Sequence, residues 1–132
     1  ARLMGADAVL LIVAALSKRE LERFFSLSCE VGLDALVETH DEAELETALE
    51  IGAGLIGVNQ RDLVTFEVDY ERAARMAALI PDDVTAVAES GVRGPVDAAT
   101  LRQAGYAAIL VGETLVTSGD ASTAVAALRE AV

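Results

Sequence analysis

Two glutamates, Glu38 and Glu89, each close a short apolar run, and Asn59 closes another run between them. If those runs are neighbouring strands, their ends bring two carboxylates and an amide to one mouth. Partial desolvation there would raise the pKa of one acid and suit it to general acid/base work. Further along, Ser90-Gly91 and Gly112-Glu113 follow two more runs. Glycine lets backbone N–H groups approach an anion closely, so these two turns suit a phosphate. Arg61, just after Asn59, adds a guanidinium. His40 adjoins Asp41, a helix cap, and fits a surface position as well as a site, so no catalytic role is assigned to it, while Asp62 is expected in a turn or salt bridge. No cluster has the make-up of a metal site, a Ser-His-Asp triad or a reactive cysteine.

The runs that carry these residues recur five times: Ala8 to Val13, Ala35 to Glu38, Leu55 to Asn59, Val84 to Glu89 and Ala107 to Gly112. Gly5, Gly32, Gly52 and Gly105 introduce four of them. Near-continuous apolar runs without alternation predict parallel strands covered on both faces. Amphipathic stretches lie between them. Ser17-Lys-Arg-Glu20 and Asp41-Glu-Ala-Glu44 have the capping-box form and start two helices, which end at Gly32 and Gly52. Further helices are predicted over about Tyr70 to Leu79, from Pro95 to near Gly105, and over about Ala121 to Ala131.

Strands alternating with helices make βα units, and right-handed crossovers set the strands parallel. The expected fold class is α/β. The glycine spacing matches the units of a TIM (β/α)8 barrel, which takes about 250 residues for eight units; about five units make a partial barrel. A doubly wound open sheet is the other architecture, but no strand is followed by G-x-G-x-x-G or a Walker A loop. Ala1-Arg-Leu-Met-Gly5 reads as the last turn of a helix, so residues 1–132 are expected to be a single barrel segment that starts mid-element.

Composition bounds the partners. The 132 residues include 10 basic and 22 acidic side chains, for a net charge of −12, and 53% are apolar. That is too apolar for a disordered acidic tail. The negative charge, with Lys18 the lone lysine, argues against nucleic acid, whose binding rests on clustered Lys and Arg. The longest apolar run, Ala8 to Leu16, is about half the roughly 20 residues of a membrane-spanning helix. Cys29 has no cysteine to pair with and is expected as a packed thiol; the cytoplasm is the expected location.

With these residues in view, the chain closely resembles the indole-3-glycerol phosphate synthase family over essentially its whole length. The matching stretches are Gly5 to Val13, Leu36-Val-Glu-Thr-His-Asp41, Leu55-Ile-Gly-Val-Asn-Gln-Arg-Asp-Leu63 with Thr65-Phe-Glu-Val-Asp69, Val87-Ala-Glu-Ser-Gly-Val92 and Leu110-Val-Gly-Glu113. The resemblance implies a lyase of tryptophan biosynthesis. That lyase closes the pyrrole ring of 1-(2-carboxyphenylamino)-1-deoxyribulose 5-phosphate, losing carbon dioxide and water, with neither metal nor organic cofactor. It implies Glu38 as general base, Asn59 as holder of the substrate hydroxyls and developing ring, and Glu89 as the group that positions substrate and a catalytic lysine. Arg61 and Ser90 would contact substrate, Leu10 would line the anthranilate pocket, and Ser90, Gly91, Gly112 and the Glu113 backbone would bind phosphate.

By the same resemblance the segment corresponds to units 4 to 8 of the barrel. The family's general-acid lysine, a second lysine and a further glutamate lie upstream, and Lys18 cannot replace them from the first turn of a helix. The segment is therefore expected to be inactive alone, needing the N-terminal units. Two other readings stand beside this one: another phosphate-binding barrel, such as phosphoribosylanthranilate isomerase, and a partial barrel that self-associates as a binding module.

Overall fold

The computed structural model of the chain describes residues 1–131. Five strands, β1 (Ala8–Ile12), β2 (Asp34–Thr39), β3 (Leu55–Asn59), β4 (Thr85–Glu89) and β5 (Ala108–Leu110), form one sheet. Every pairing is parallel and the strands lie in chain order. A doubly wound sheet reverses its strand order at a switch point; this sheet does not, and the barrel-type arrangement is the one observed.

The helices are α1 (Lys18–Glu30), α2 (Glu42–Glu50), α3 (Arg72–Ala77), α4 (Pro95–Ala104), α5 (Glu113–Thr117) and α6 (Ala121–Glu130). The capping box of α1 is complete: Glu20 N donates to Ser17 Oγ, and Ser17 N donates to Glu20 Oε2 at 2.9 Å. At α2 the Asp41 carboxylate accepts from Glu44 N at 2.8 Å, but Glu44 reaches past the cap to accept from His40 N. α3 is shorter than its sequence suggests, because the segment before Arg72 is held in the β3–α3 loop by Asp69 N donating to Gln60 O. The opening residues form one 3-10 turn, Arg2–Met4, closed by Gly5 N–H on Arg2 O, rather than an α-helical turn.

Strand pleating sorts the residues into two faces. Val37, Ile56, Val58 and Ala88 are fully buried and pack with Leu21, Leu45, Ala73 and Met76 of the helices. Full burial of each such large side chain is worth about 1.5–3 kcal/mol. Tyr106 joins this core and donates its hydroxyl to Ala73 O at 2.7 Å, and burial pushes the phenol well above its ordinary value.

The opposite face is covered at its centre but open at its two edges, which is less than the apolar runs suggested. Register places Leu10, Leu36, Glu38, Gly57, Asn59, Val87, Glu89 and Leu110 together on it, and Leu10 and Leu110 are half-exposed. The physical reason is that all the crossovers lay their helices on one side, leaving this inner face to the strands alone. Cys29 is likewise exposed rather than packed: α1 turns Leu21 and Ser28 to the core, and the next residue along faces outward.

Candidate active site

The carboxyl end of the inner face carries the acids. Glu38, Asn59 and Glu89 are the last or next-to-last residues of β2, β3 and β4, and all three are buried. Asn59 Nδ2 donates to Glu38 Oε1 at 3.0 Å, while Asn59 Oδ1 accepts from Arg61 N at 3.0 Å. The backbone bond fixes which way the amide faces. Glu89 reaches across β3: its carboxylate lies over Gly57, which is paired with Glu38 on one side and Val87 on the other.

Burial first, then the charge of Glu38 and a hydrogen bond to that carboxylate, push Glu89 up to about 8. As an anion, Glu89 would keep Oε1 buried with no hydrogen-bond donor among the described residues. As an acid it can donate to Glu38. Burial and the neighbouring carboxylate thus favour the protonated form of Glu89, an arrangement suited to one acid beside one base.

Next to this pair lies a cavity of about 640 Å³, lined by Ser90, Gly91, Arg61, Gly112, Glu113 and Thr114 among others. The turn after β4 forms its floor. Ser90 has φ 61°, unusual for a residue with a side chain, and Gly91 follows with φ 70°. A Cβ on Gly91 would stand 2.8 Å from Val68 Cγ1 and 3.1 Å from Gln60 Nε2. The β3–α3 loop covers the site. Its Arg61 and Val68 form an antiparallel bridge, and Asp62 Oδ1 accepts from Val64 N and Thr65 N, each at 2.8 Å. Those backbone donors, Thr65 before Val64, hold the Asp62 carboxyl below its usual range, so Asp62 serves the turn.

Arg61 is not free at the cavity mouth. Its Nη2 pairs with Glu113 Oε2 at 2.5 Å and its Nη1 donates to Phe66 O at 3.2 Å. Glu113 itself is mostly exposed, at the start of the short helix α5 that follows β5. Leu10 lies on the inner face of β1 but does not line this cavity.

Sequence reasoning missed three participants. Gly57 stands inside an apolar run, and a lone glycine in a strand signals close approach of another group. Gln60 is buried, with its Nε2 donating to Ser90 O at 2.9 Å, which ties the β3 loop to the turn after β4. His40 is not at the surface. Its ring is 12% exposed, between Glu38 and Glu44, which lie two residues before it and four after it in sequence.

A parallel sheet in chain order, helices on one side and polar groups at its carboxyl end define a protein of the (β/α)-barrel class. Solved structures with this fold include 3-hexulose-6-phosphate synthase, at TM-score 0.79 and 14% identity over 99% of this chain and 64% of that one. Another is the thiamine phosphate pyrophosphorylase of Pyrococcus furiosus, at TM-score 0.75 and 19% identity over 96% of this chain and 59% of the other. Within the class, the sequence is more specific. The family model described as indole-3-glycerol phosphate synthase matches residues 1–128, and the chain belongs to that family.

Relatives of that description include one from Ruminiclostridium cellulolyticum, 46% identical over 129 residues, which is 98% of this chain and 50% of the relative. One from Mycolicibacterium vanbaalenii is 53% identical over 128 residues, covering 97% of this chain and 47% of the relative. The chain spans about half the length of the curated relatives it matches.

Proposed function

We propose that this chain supplies the base, substrate-orienting groups and phosphate subsite for indole-3-glycerol phosphate formation, as units 4 to 8 of a barrel. The substrate is 1-(2-carboxyphenylamino)-1-deoxyribulose 5-phosphate. One observation carries the reading in this family member: Glu38 and Glu89 share a buried site with Asn59 between them. Glu38 acts as general base in the dehydration that completes the pyrrole ring, Asn59 orients the substrate hydroxyls, and Glu89 holds a proton beside them.

Backbone N–H groups of Ser90, Gly91, Gly112 and Glu113 hold the phosphate, and that remote anchor positions the reacting atoms. Arg61 meets the anionic substrate when Glu113 releases it. Leu10 offers an apolar contact for the anthranilate ring. Lys18 is taken up by Glu50 in an exposed ion pair, and the general acid of the ring closure is read as a lysine of the N-terminal units, with Glu89 holding its proton beside the substrate. The setting proposed is the cytoplasm, and no helix among the described residues is long and apolar enough to cross a membrane.

The test is formation of indole-glycerol phosphate by the chain alone and by the chain mixed with the first three βα units of a relative. Turnover only in the mixture, abolished by Glu38→Gln, is the expected result. Indole-glycerol phosphate formation that survives Glu38→Gln removes Glu38 as the base, and activity on the substrate of another phosphate-binding barrel in its place points to that other chemistry. No turnover in either, with folded material of one defined oligomeric size, favours the self-associating module, for which the half-exposed Leu10 and Leu110 speak.

A further inference from the structure

Gln60 holds two successive carbonyls at the end of β4. Its backbone N donates to Glu89 O at 3.0 Å, and its side-chain Nε2 donates to Ser90 O at 2.9 Å. Its own carbonyl accepts from Asp69 N at 2.9 Å, which ties the residue into the β3–α3 loop as well. Gln60 is 2% exposed and does not line the cavity of about 640 Å³, whereas Ser90 and Gly91 both line it.

The bond to Ser90 O sets the direction of another group. In a planar trans peptide the C=O and the N–H point opposite ways, and no peptide among the described residues is cis. The peptide joining Ser90 to Gly91 has its carbonyl drawn toward the buried amide of Gln60. Its N–H, that of Gly91, is therefore aimed away from Gln60, and it has no acceptor among the described residues. Turning this peptide over would put a carbonyl oxygen where the N–H stands, replacing a group that holds an anion by one that repels it. Glycine at 91 tolerates either orientation, so local backbone preference does not decide between them.

The Gln60 amide does more than fill space. Ser90 O only accepts, so Nε2 must face it, and Gln60 Oε1 is left buried with no donor among the described residues. An unpaired buried acceptor costs free energy that an apolar side chain of similar length would avoid.

We propose that Gln60 is a positioning residue of the anion site: its amide holds the Ser90–Gly91 peptide in the one orientation that presents the Gly91 N–H to a phosphate. The inference rests on reading the cavity as the phosphate subsite, and it names what sets the polarity of one wall of that subsite.

The test is a titration of the 132-residue chain with inorganic phosphate, followed at the backbone amides by 1H–15N NMR. In the unsubstituted chain the Gly91, Gly112 and Glu113 amides should all shift. Gln60→Met and Gln60→Leu fill the same space without a donor. In them Gly112 and Glu113 should still respond and Gly91 should not, while affinity falls about tenfold, the order of one hydrogen bond to a charged acceptor. Tm should change little, because the unpaired Oε1 leaves along with the donor. A Gly91 amide that still responds in these variants overturns the proposal, and so does a fall in Tm that silences both turns together, the mark of a residue that only packs. Phosphate that shifts Gly112 and Glu113 of the unsubstituted chain without Gly91 overturns it with no variant needed. No response at any of these amides overturns the phosphate subsite itself and this inference with it, so the two failures are told apart.

Discussion

The Glu89 carboxylate occupies the space that a side chain at position 57 would take. A Cβ on Gly57 would overlap Glu89 Oε1 and stand 2.8 Å from its Cδ, with Leu36 Cδ1 at 3.3 Å. Glycine at 57 is thus what lets an acid from β4 cross β3 and meet an acid from β2. The two carboxylates are neighbours because the strand between them has no side chain there.

Gly57→Ala should therefore dislodge Glu89. Overpacking of this kind costs about 1–3 kcal/mol, read as a drop in Tm. The same substitution made in a Glu89→Ala background should cost distinctly less, since the clashing group is gone. Equal costs in the two backgrounds would show that Glu89 is not what fills the site.

The raised pKa of Glu89 links the site to stability. Between the ordinary carboxylate range and about 8, the folded chain keeps a proton that the unfolded chain has released. Stability from this group is full at the acid end and is lost as pH rises through that window. Melting curves from about pH 5 to about pH 9 should show Tm falling, and Glu89→Gln should flatten that part of the slope. An identical slope in the variant would count against a protonated Glu89.

Glu113 competes with any anion for Arg61. Glu113→Gln leaves the backbone of α5 in place, frees the guanidinium and removes a negative charge from the cavity mouth. Inorganic phosphate should bind several-fold more tightly, about 1 kcal/mol at most for so exposed a pair, and the gain should shrink in high salt. Titration calorimetry or 31P NMR would read it, and unchanged affinity would remove Arg61 from the anion site.

Gly91 supports the same cavity by a different route. Its φ of 70° and the nearness of Val68 and Gln60 leave no room for a methyl group. Gly91→Ala should push the β3–α3 loop outward and weaken phosphate binding by roughly tenfold, a loss of about 1.4 kcal/mol. Gly94→Ala, where a Cβ would meet nothing within 4 Å, is the control and should leave binding unchanged.

The acids at the strand ends were legible because apolar runs, glycine breaks and caps are local signals. Glu38, Asn59 and Glu89 follow from where the runs stop, and β3 coincides with its predicted bounds. What adjoins them was less legible. Whether Glu89 crosses Gly57, whether Gln60 meets Ser90 and whether His40 turns inward depend on register between strands far apart in sequence, and no local pattern fixes that. The open edges of the inner face escaped for a related reason: an apolar run reports burial on average, not which layer provides it. Cys29 shows the same limit on a helix, where one step in sequence carries a side chain from the core to solvent.

The chain-order pairing of the strands also shapes how this molecule folds. Register partners such as Ala8 and Asp34, Val37 and Ile56, Leu55 and Thr85, or Val87 and Ala108 are separated by between 19 and 30 residues. Loop-closure entropy grows only slowly with length, so each strand joins its predecessor at nearly the same modest cost. Among the described residues, no strand pairing joins the first strand to the last. Assembly can proceed stepwise, one βα unit on the last, and the Glu38, Asn59 and Glu89 cluster is complete once the fourth strand has docked, before β5 or α6 has formed.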